Sequence, residues 1–157
     1  MPRQRLGRRV NSAVIGWALS VALVDTLSKW WARDALSRHD VHVVGPFWLR
    51  LTYNSGISFS LDRSSPVVSA VAAMAIVLVV LYVAMRATAG LATIGFGLLL
   101  GGGASNELDR LVRVPHRVTD FLSVGWFPVF NLADAAVTVG FVILAVAMMR
   151  GSALVQR

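Results

Sequence analysis

The stretch "FNLADAAVTVGFVILAVAMM" (Phe130–Met149) decides what kind of protein this chain is. After Asp134 it runs to Met149 without a charge. A helix over Leu132–Met149 would nearly cross the ~30 Å hydrocarbon core of a bilayer, at about 1.5 Å of rise per residue. In lipid the backbone must satisfy its own hydrogen bonds, so a spanning stretch of this length is a helix. Asp134 at its start needs a reason, because charge in hydrocarbon is costly. One reason is local. Asn131-x-x-Asp134 reads as a variant capping box, with Asn131 as the N-cap and Asp134 at N3, and an acid in a first turn suits the helix dipole. That reading alone does not establish catalysis.

Three more apolar stretches lie upstream, at about 12–31, 66–85 and 89–105. Ser65 can cap the second and Pro66 fits its first turn. The chain has 157 residues, of which 56% are hydrophobic and 15% charged, a balance foreign to a soluble domain of this size. The expected fold class is therefore all-α integral membrane: four transmembrane helices with a small extracytoplasmic β-subdomain, in one domain over 1–157. The first stretch contains Asp25 and Lys29 and lacks a small-x-small cleavage site, so it reads as an uncleaved span rather than a signal peptide.

The net charge of +7 is distributed as topology, not as a nucleic-acid stripe. Arg3, Arg5, Arg8 and Arg9 precede the first span, Arg86 sits in the link "RATAG", and Arg150 and Arg157 follow the fourth, with no acid in any of these segments. All eight acids lie in or beside two long loops, about 32–65 and 106–131. The positive-inside rule places both termini in the cytoplasm and both loops outside, with Trp30 and Trp31 at the outer interface. In the first loop "VHVV" and "FWLRLTY" have strand character around a Gly45-Pro46 turn, and "YNSGISFSL" is expected to continue as strand.

The polar residues each carry two readings. Asp25 and Lys29 are four apart in the favourable helical order, which favours a self-neutralised pair that snorkels to the interface. In "GGGASNELDR" (Gly101–Arg110) the glycines allow close approach of another helix or a substrate. If the helix continues, Asn106, Asp109 and Arg110 share a face; otherwise they are a helix end dissolving into loop. Asp120 in "RVTDFL" reads, in isolation, as a loop turn or cap residue. His39 and His42 lack a third ligand of obvious spacing, so no metal site is expected. With no cysteine, no disulfide or thiol chemistry is available.

Taken together, five blocks in order resemble the lipoprotein signal peptidase (signal peptidase II) family: "DTLSK" (25–29), "NSGISF" (54–59), "GGGASNELDR" (101–110), "VTDF" (118–121) and "FNLAD" (130–134). Ile57 is the departure, bulky where that family usually has a small residue. The resemblance implies an aspartyl endopeptidase of the bacterial cytoplasmic membrane. Such an enzyme removes the signal peptide from prolipoproteins, just before a diacylglyceryl-modified cysteine. It implies catalytic Asp120 and Asp134 and substrate contacts at Asn54, Asn106, Arg110 and Asn131; structural roles are expected for Asp25, Lys29, Gly56 and Asp109. It implies no cofactor or metal; membrane lipid is the second partner, nucleic acid is not one, and a monomer is expected.

The rival class is a small proton- or ion-coupled membrane transport component. It would place polar residues at mid-depth and often show repeats, whereas here they crowd the span ends and no repeat is seen.

Overall fold

The computed structural model describes residues 11–54, 66–113 and 116–156. Four helices and four strands alternate in blocks: α1 (Ser12–Ala35), β1 (Val41–Val44), β2 (Phe47–Asn54), α2 (Pro66–Ala84), α3 (Leu91–Val112), β3 (Val118–Val124), β4 (Phe127–Phe130) and α4 (Leu132–Met149). The fourth helix has the expected bounds. The first and third run further than the apolar stretches that announced them.

Among the described residues, three helices are long and apolar enough to cross a membrane: α1, Val67–Ala84 of α2, and α4. The third helix is long enough, but its glycines and its polar end from Asn106 to Arg110 dilute its apolar character. It compensates by position, since it packs against α1, α2 and α4. The outer faces of α2 and α4 leave Val67, Val71, Leu78, Val79, Phe141 and Val142 more than half exposed. A soluble protein would not leave so much apolar surface in water.

The glycine run explains how α3 can touch so many neighbours. A Cβ on Gly101 would stand 2.5 Å from the Ala18 carbonyl oxygen of α1, and one on Gly102 would stand 2.5 Å from the Ala133 carbonyl oxygen of α4. Successive glycines therefore admit two different helix backbones, the close approach expected of small residues in membrane helices. Below them Phe96, Leu99 and Leu100 pack with Val14, Ala18 and Leu144. At the end remote from the strands, Asn11 Nδ2 donates to the Ala87 carbonyl at 3.2 Å, and Gln156 N to the Arg86 carbonyl at 2.8 Å. These bonds tie both described chain ends to the α2–α3 link.

The strands form one antiparallel sheet in the order β1-β2-β3-β4. The first hairpin turns at Gly45 and Pro46 as expected, with Gly45 at φ +52°. The continuation of "YNSGISFSL" past Asn54, the Ser65 cap and Gly56 lie outside the described residues.

The second hairpin corrects the turn-or-cap reading of Asp120, which sits inside β3, paired with Thr52 of β2. Its turn is at Gly125, φ +54°, followed by Trp126. Pro128 is tolerated because β4 is an edge strand. A second correction concerns the loop expected at 106–131. It begins as helix, because α3 continues to Val112, and it ends as a strand pair.

Candidate active site

The β2–β3 register builds one wall. Thr52 faces Asp120 and Asn54 faces Val118, so Asn54 and Asp120 lie diagonally on the same side of the sheet. The opposite side of β3 carries Phe121, which packs edge-on to Trp31 and against Ala32 and Leu36. Strand alternation thus anchors β3 through Phe121 and turns Asp120 the other way. Two side-chain bonds fix its height. Thr119 N donates to Asp109 Oδ2 at 3.0 Å, and Arg33 Nη1 donates to Thr119 Oγ1 at 3.3 Å.

The start of α4 builds the second wall. The capping box is present in full: Asp134 N donates to Asn131 Oδ1 at 2.9 Å, and Asn131 N donates to Asp134 Oδ2 at 3.1 Å. A cap of this kind contributes about 1 kcal/mol. It coexists with a wider role, because Asn131 Nδ2 donates to Asp120 Oδ1 at 2.7 Å. Asn131 is fully buried. It joins the two carboxylates, gripping one through its side chain and the other through its backbone.

The third wall is α3, and here one helical face does gather the polar residues. Asn106 Nδ2 donates to Asp134 Oδ1 at 2.8 Å, while Asn106 Oδ1 accepts from Lys29 Nζ at 2.7 Å. An ammonium can only donate, so it holds the Asn106 oxygen toward itself and the amide NH2 toward Asp134. The same logic orients Asn131, whose oxygen is claimed by the Asp134 backbone N–H. Both amides therefore point donors at carboxylates.

Lys29 corrects the snorkelling expectation. It is 1% exposed and reaches inward, 2.6 Å from Asp25 Oδ2 and 3.6 Å from Asp109 Oδ2. Asp25 is equally buried and fully employed. It also accepts from Ser105 Oγ at 2.7 Å and from the Ala133 N–H in the first turn of α4 at 2.8 Å. Asp109 completes the set, bonded to Arg113 Nε at 2.9 Å. This is a charge cluster that welds α1, α3, β3 and α4 together.

Asn54, Asn106, Arg110, Asp120 and Asp134 all line one cavity of about 210 Å3. Asn131 is bonded to two of these lining residues, Asp120 and Asp134. The remaining wall is apolar, from Ile76 and Val77 of α2 and Val137 of α4. Asp120 is 2% exposed. Burial first, and the Asp134 charge second, push its carboxyl up to about 7, against the pull of hydrogen bonds from Asn131 and Asn54 and of the Lys29 charge. A buried pair of carboxylates with one so raised can hold a single proton between them. This arrangement can both activate a water and protonate a leaving group.

The β3–β4 hairpin was the feature that sequence reasoning missed. Its signal was present: "VTDFLSV" and "FPVF" are rich in β-formers and flank Gly125-Trp126. Glu107, to which the sequence analysis assigns no role, is 2% exposed.

Comparison with known proteins gives a consistent result. The family described as Signal peptidase (SPase) II matches residues 17–150. A lipoprotein signal peptidase of Streptomyces coelicolor is 31% identical over 157 residues, covering 96% of this chain and 76% of that protein. One from Mycobacterium leprae is 38% identical over 100 residues, 61% of this chain, and the match spans half of that relative's length. A solved bacterial membrane enzyme superposes with a TM-score of 0.76 at 20% identity, over 92% of this chain and 93% of the other, a likeness of fold.

Proposed function

Because the chain belongs to the signal peptidase II family, we propose that it is a membrane aspartyl endopeptidase. In this reading it removes the signal peptide from prolipoproteins, cutting before a diacylglyceryl-modified cysteine. The observation that carries it is the pairing of Asp120 and Asp134 in one cavity, joined through Asn131.

Peptide hydrolysis needs a nucleophilic water and a protonated leaving amine. With one proton on the pair, the ionised carboxylate takes a proton from the water as it attacks the scissile carbonyl. The neutral carboxyl polarises that carbonyl, and the leaving amine collects a proton as the bond breaks. The proton belongs to the pair, so neither aspartate has a single resting role. Asn106 and Asn131 hold the carboxylates in place by the bonds described above. Asn54 and Arg110, with the remaining capacity of Asn106 and Asn131, would hold the extended substrate backbone, whose polar groups are costly to leave unpaired at membrane depth. The apolar wall of Ile76, Val77 and Val137 suits the acyl chains or the apolar part of the signal peptide.

The same reading gives four spans, with α3 shielded from lipid by its three neighbours. Both termini are cytoplasmic, the sheet lies on the outer side of a bacterial cytoplasmic membrane, and the protein works as a monomer. Supporting it are the basic, acid-free segments at one end of the helices and the crowding of acids at the other.

The test is cleavage by the purified chain, in detergent, of a prolipoprotein with and without its diacylglyceryl group. A new N-terminus at the lipidated cysteine, with the unlipidated form cut poorly, is expected. Equal cleavage of both forms would remove the lipid-specific part of the proposal, and cleavage of neither would remove the whole.

A further inference from the structure

Glu107 is a buried carboxylate that the reaction described above does not use. It is 2% exposed, and neither carboxylate oxygen has a hydrogen-bond partner among the described residues. Burying such a group without hydrogen bonds is costly, so its placement calls for a compensating charge. That charge is Arg110, one helical turn on, with Nη1 3.7 Å from Glu107 Oε2. The separation is too long for the two-bond fork by which arginine usually grips a carboxylate, so the link is a balance of charge. Glu107 does not line the cavity, but Arg110 does. Arg110 in turn lies within electrostatic reach of Asp134 and Asp120.

The charged surroundings are otherwise settled. From α1, Lys29 is answered by Asp25 and Asp109, and Arg33 reaches Thr119. From α3, Arg113 is answered by Asp109. His116, before β3, meets the Arg110 carbonyl through Nδ1. Helix α2, packed on the other side of α3, contains no Asp, Glu, Lys, Arg or His. Glu107 is thus the carboxylate that balances Arg110 from outside the cavity lining.

We propose that Glu107 is a positioning residue: it holds the Arg110 guanidinium at the cavity wall and offsets its charge, so that the Asp120–Asp134 pair keeps its single proton to higher pH than an unbalanced arginine would allow. The inference rests on the protease reading. An uncompensated cation beside the pair would favour the doubly ionised form and expel the proton. Glu107 therefore widens the pH range over which the pair is competent, without touching substrate.

The experiment is kcat/KM against pH, on the lipidated prolipoprotein, for the wild type, Glu107→Gln, Arg110→Gln and the double variant. In Glu107→Gln the alkaline limb should move down by about one pH unit or less, the size of one added charge several ångströms away in a screened site. In Arg110→Gln it should move up, beneath a lower overall rate. The double variant, neutral at both positions, should return close to the wild-type limb. A Glu107→Gln limb that coincides with the wild type's, or a double variant that titrates like Arg110→Gln, overturns the proposal. If Glu107→Gln fails to fold, the comparison of Arg110→Gln with the double variant still decides. A wild type that cleaves nothing defeats the protease reading and this inference together. A wild type that cleaves, with limbs unmoved, defeats only the role given to Glu107.

Discussion

Two pairs of buried or half-buried carboxylates occupy the same end of the helices, and their surroundings differ in kind. Asp25 and Asp109 face cations: Lys29 at 2.6 and 3.6 Å, and Arg113 at 2.9 Å from Asp109. Asp120 and Asp134 face amides: Asn131 and Asn54 on the first, Asn106 and the Asn131 backbone on the second. A carboxylate bonded to fixed cations serves as a strut between elements. A carboxylate held by neutral donors, next to another carboxylate, can take up and release a proton near neutral pH. Identity of residue type says nothing about which role an aspartate has here; the partner decides it.

The largest expected effect belongs to the amide-held pair. Asp134→Asn should lower kcat/KM by roughly 10²–10⁴-fold, the usual worth of a positioned acid or base, while the protein still inserts and folds. Steady-state cleavage of lipidated substrate measures it. The cation-held pair should respond through stability instead. Lys29→Met leaves buried Asp25 without its counter-charge and should cost about 3–5 kcal/mol of folding free energy, seen as lost yield and a lower melting temperature in detergent. If Lys29→Met melted like the wild type, the strut role would be gone.

Intermediate effects should come from the other residues that line or shape the cavity. Asn54→Ala and Arg110→Ala should each lower kcat/KM by about one to two decades, near 1–3 kcal/mol, as expected for a lost polar contact to substrate. An unchanged rate per folded molecule, with only the yield reduced, would place both residues in the structural class. Gly102→Ala should cost about 1–3 kcal/mol by forcing α3 from α4. Because the carbonyl it meets belongs to Ala133, the residue before Asp134, some loss of rate should accompany the lower melting temperature.

The smallest effect is a pH signature. The Asp120 carboxyl is raised in the fold, to about 7. Its contribution to stability is therefore complete below the unfolded value and is lost as pH rises through about 7. Asp120→Asn removes that loss, so its melting temperature relative to wild type should climb between about pH 4 and pH 7 and then level off. The wild-type rate should fall over the same upper range as the pair loses its proton. A melting difference that is flat with pH would mean that Asp120 ionises as freely as a surface aspartate.

Much of this was legible in the residues. The apolar stretches, the capping box at Asn131 and the Gly45-Pro46 hairpin follow local rules, and the structure bears them out. The five ordered blocks resemble a family to which the chain does belong. What escaped was tertiary. Asp120 looks like a loop residue because "VTDFLSV" is short and its strand is completed by β2, sixty-odd residues upstream. Lys29 reads as a snorkelling side chain because its partners Asn106 and Asp109 lie on another helix. The polar end of α3 reads as loop because what keeps it helical is its contact with α1 and α4, through glycines whose use depends on neighbours not visible in one segment.

The contrast is tested most directly by two readouts on the same detergent preparations, cleavage rate per folded molecule and melting temperature, for Asp120→Asn and Asp25→Asn. The expected result is a crossed pattern. Asp120→Asn loses roughly 10²–10⁴-fold in rate with its melting temperature kept or raised, and Asp25→Asn melts markedly lower while its folded fraction retains most of the rate. A variant Asp120→Asn that cleaves at the wild-type rate, or an Asp25→Asn that melts normally yet cleaves nothing, would contradict the division of labour between the two carboxylate pairs.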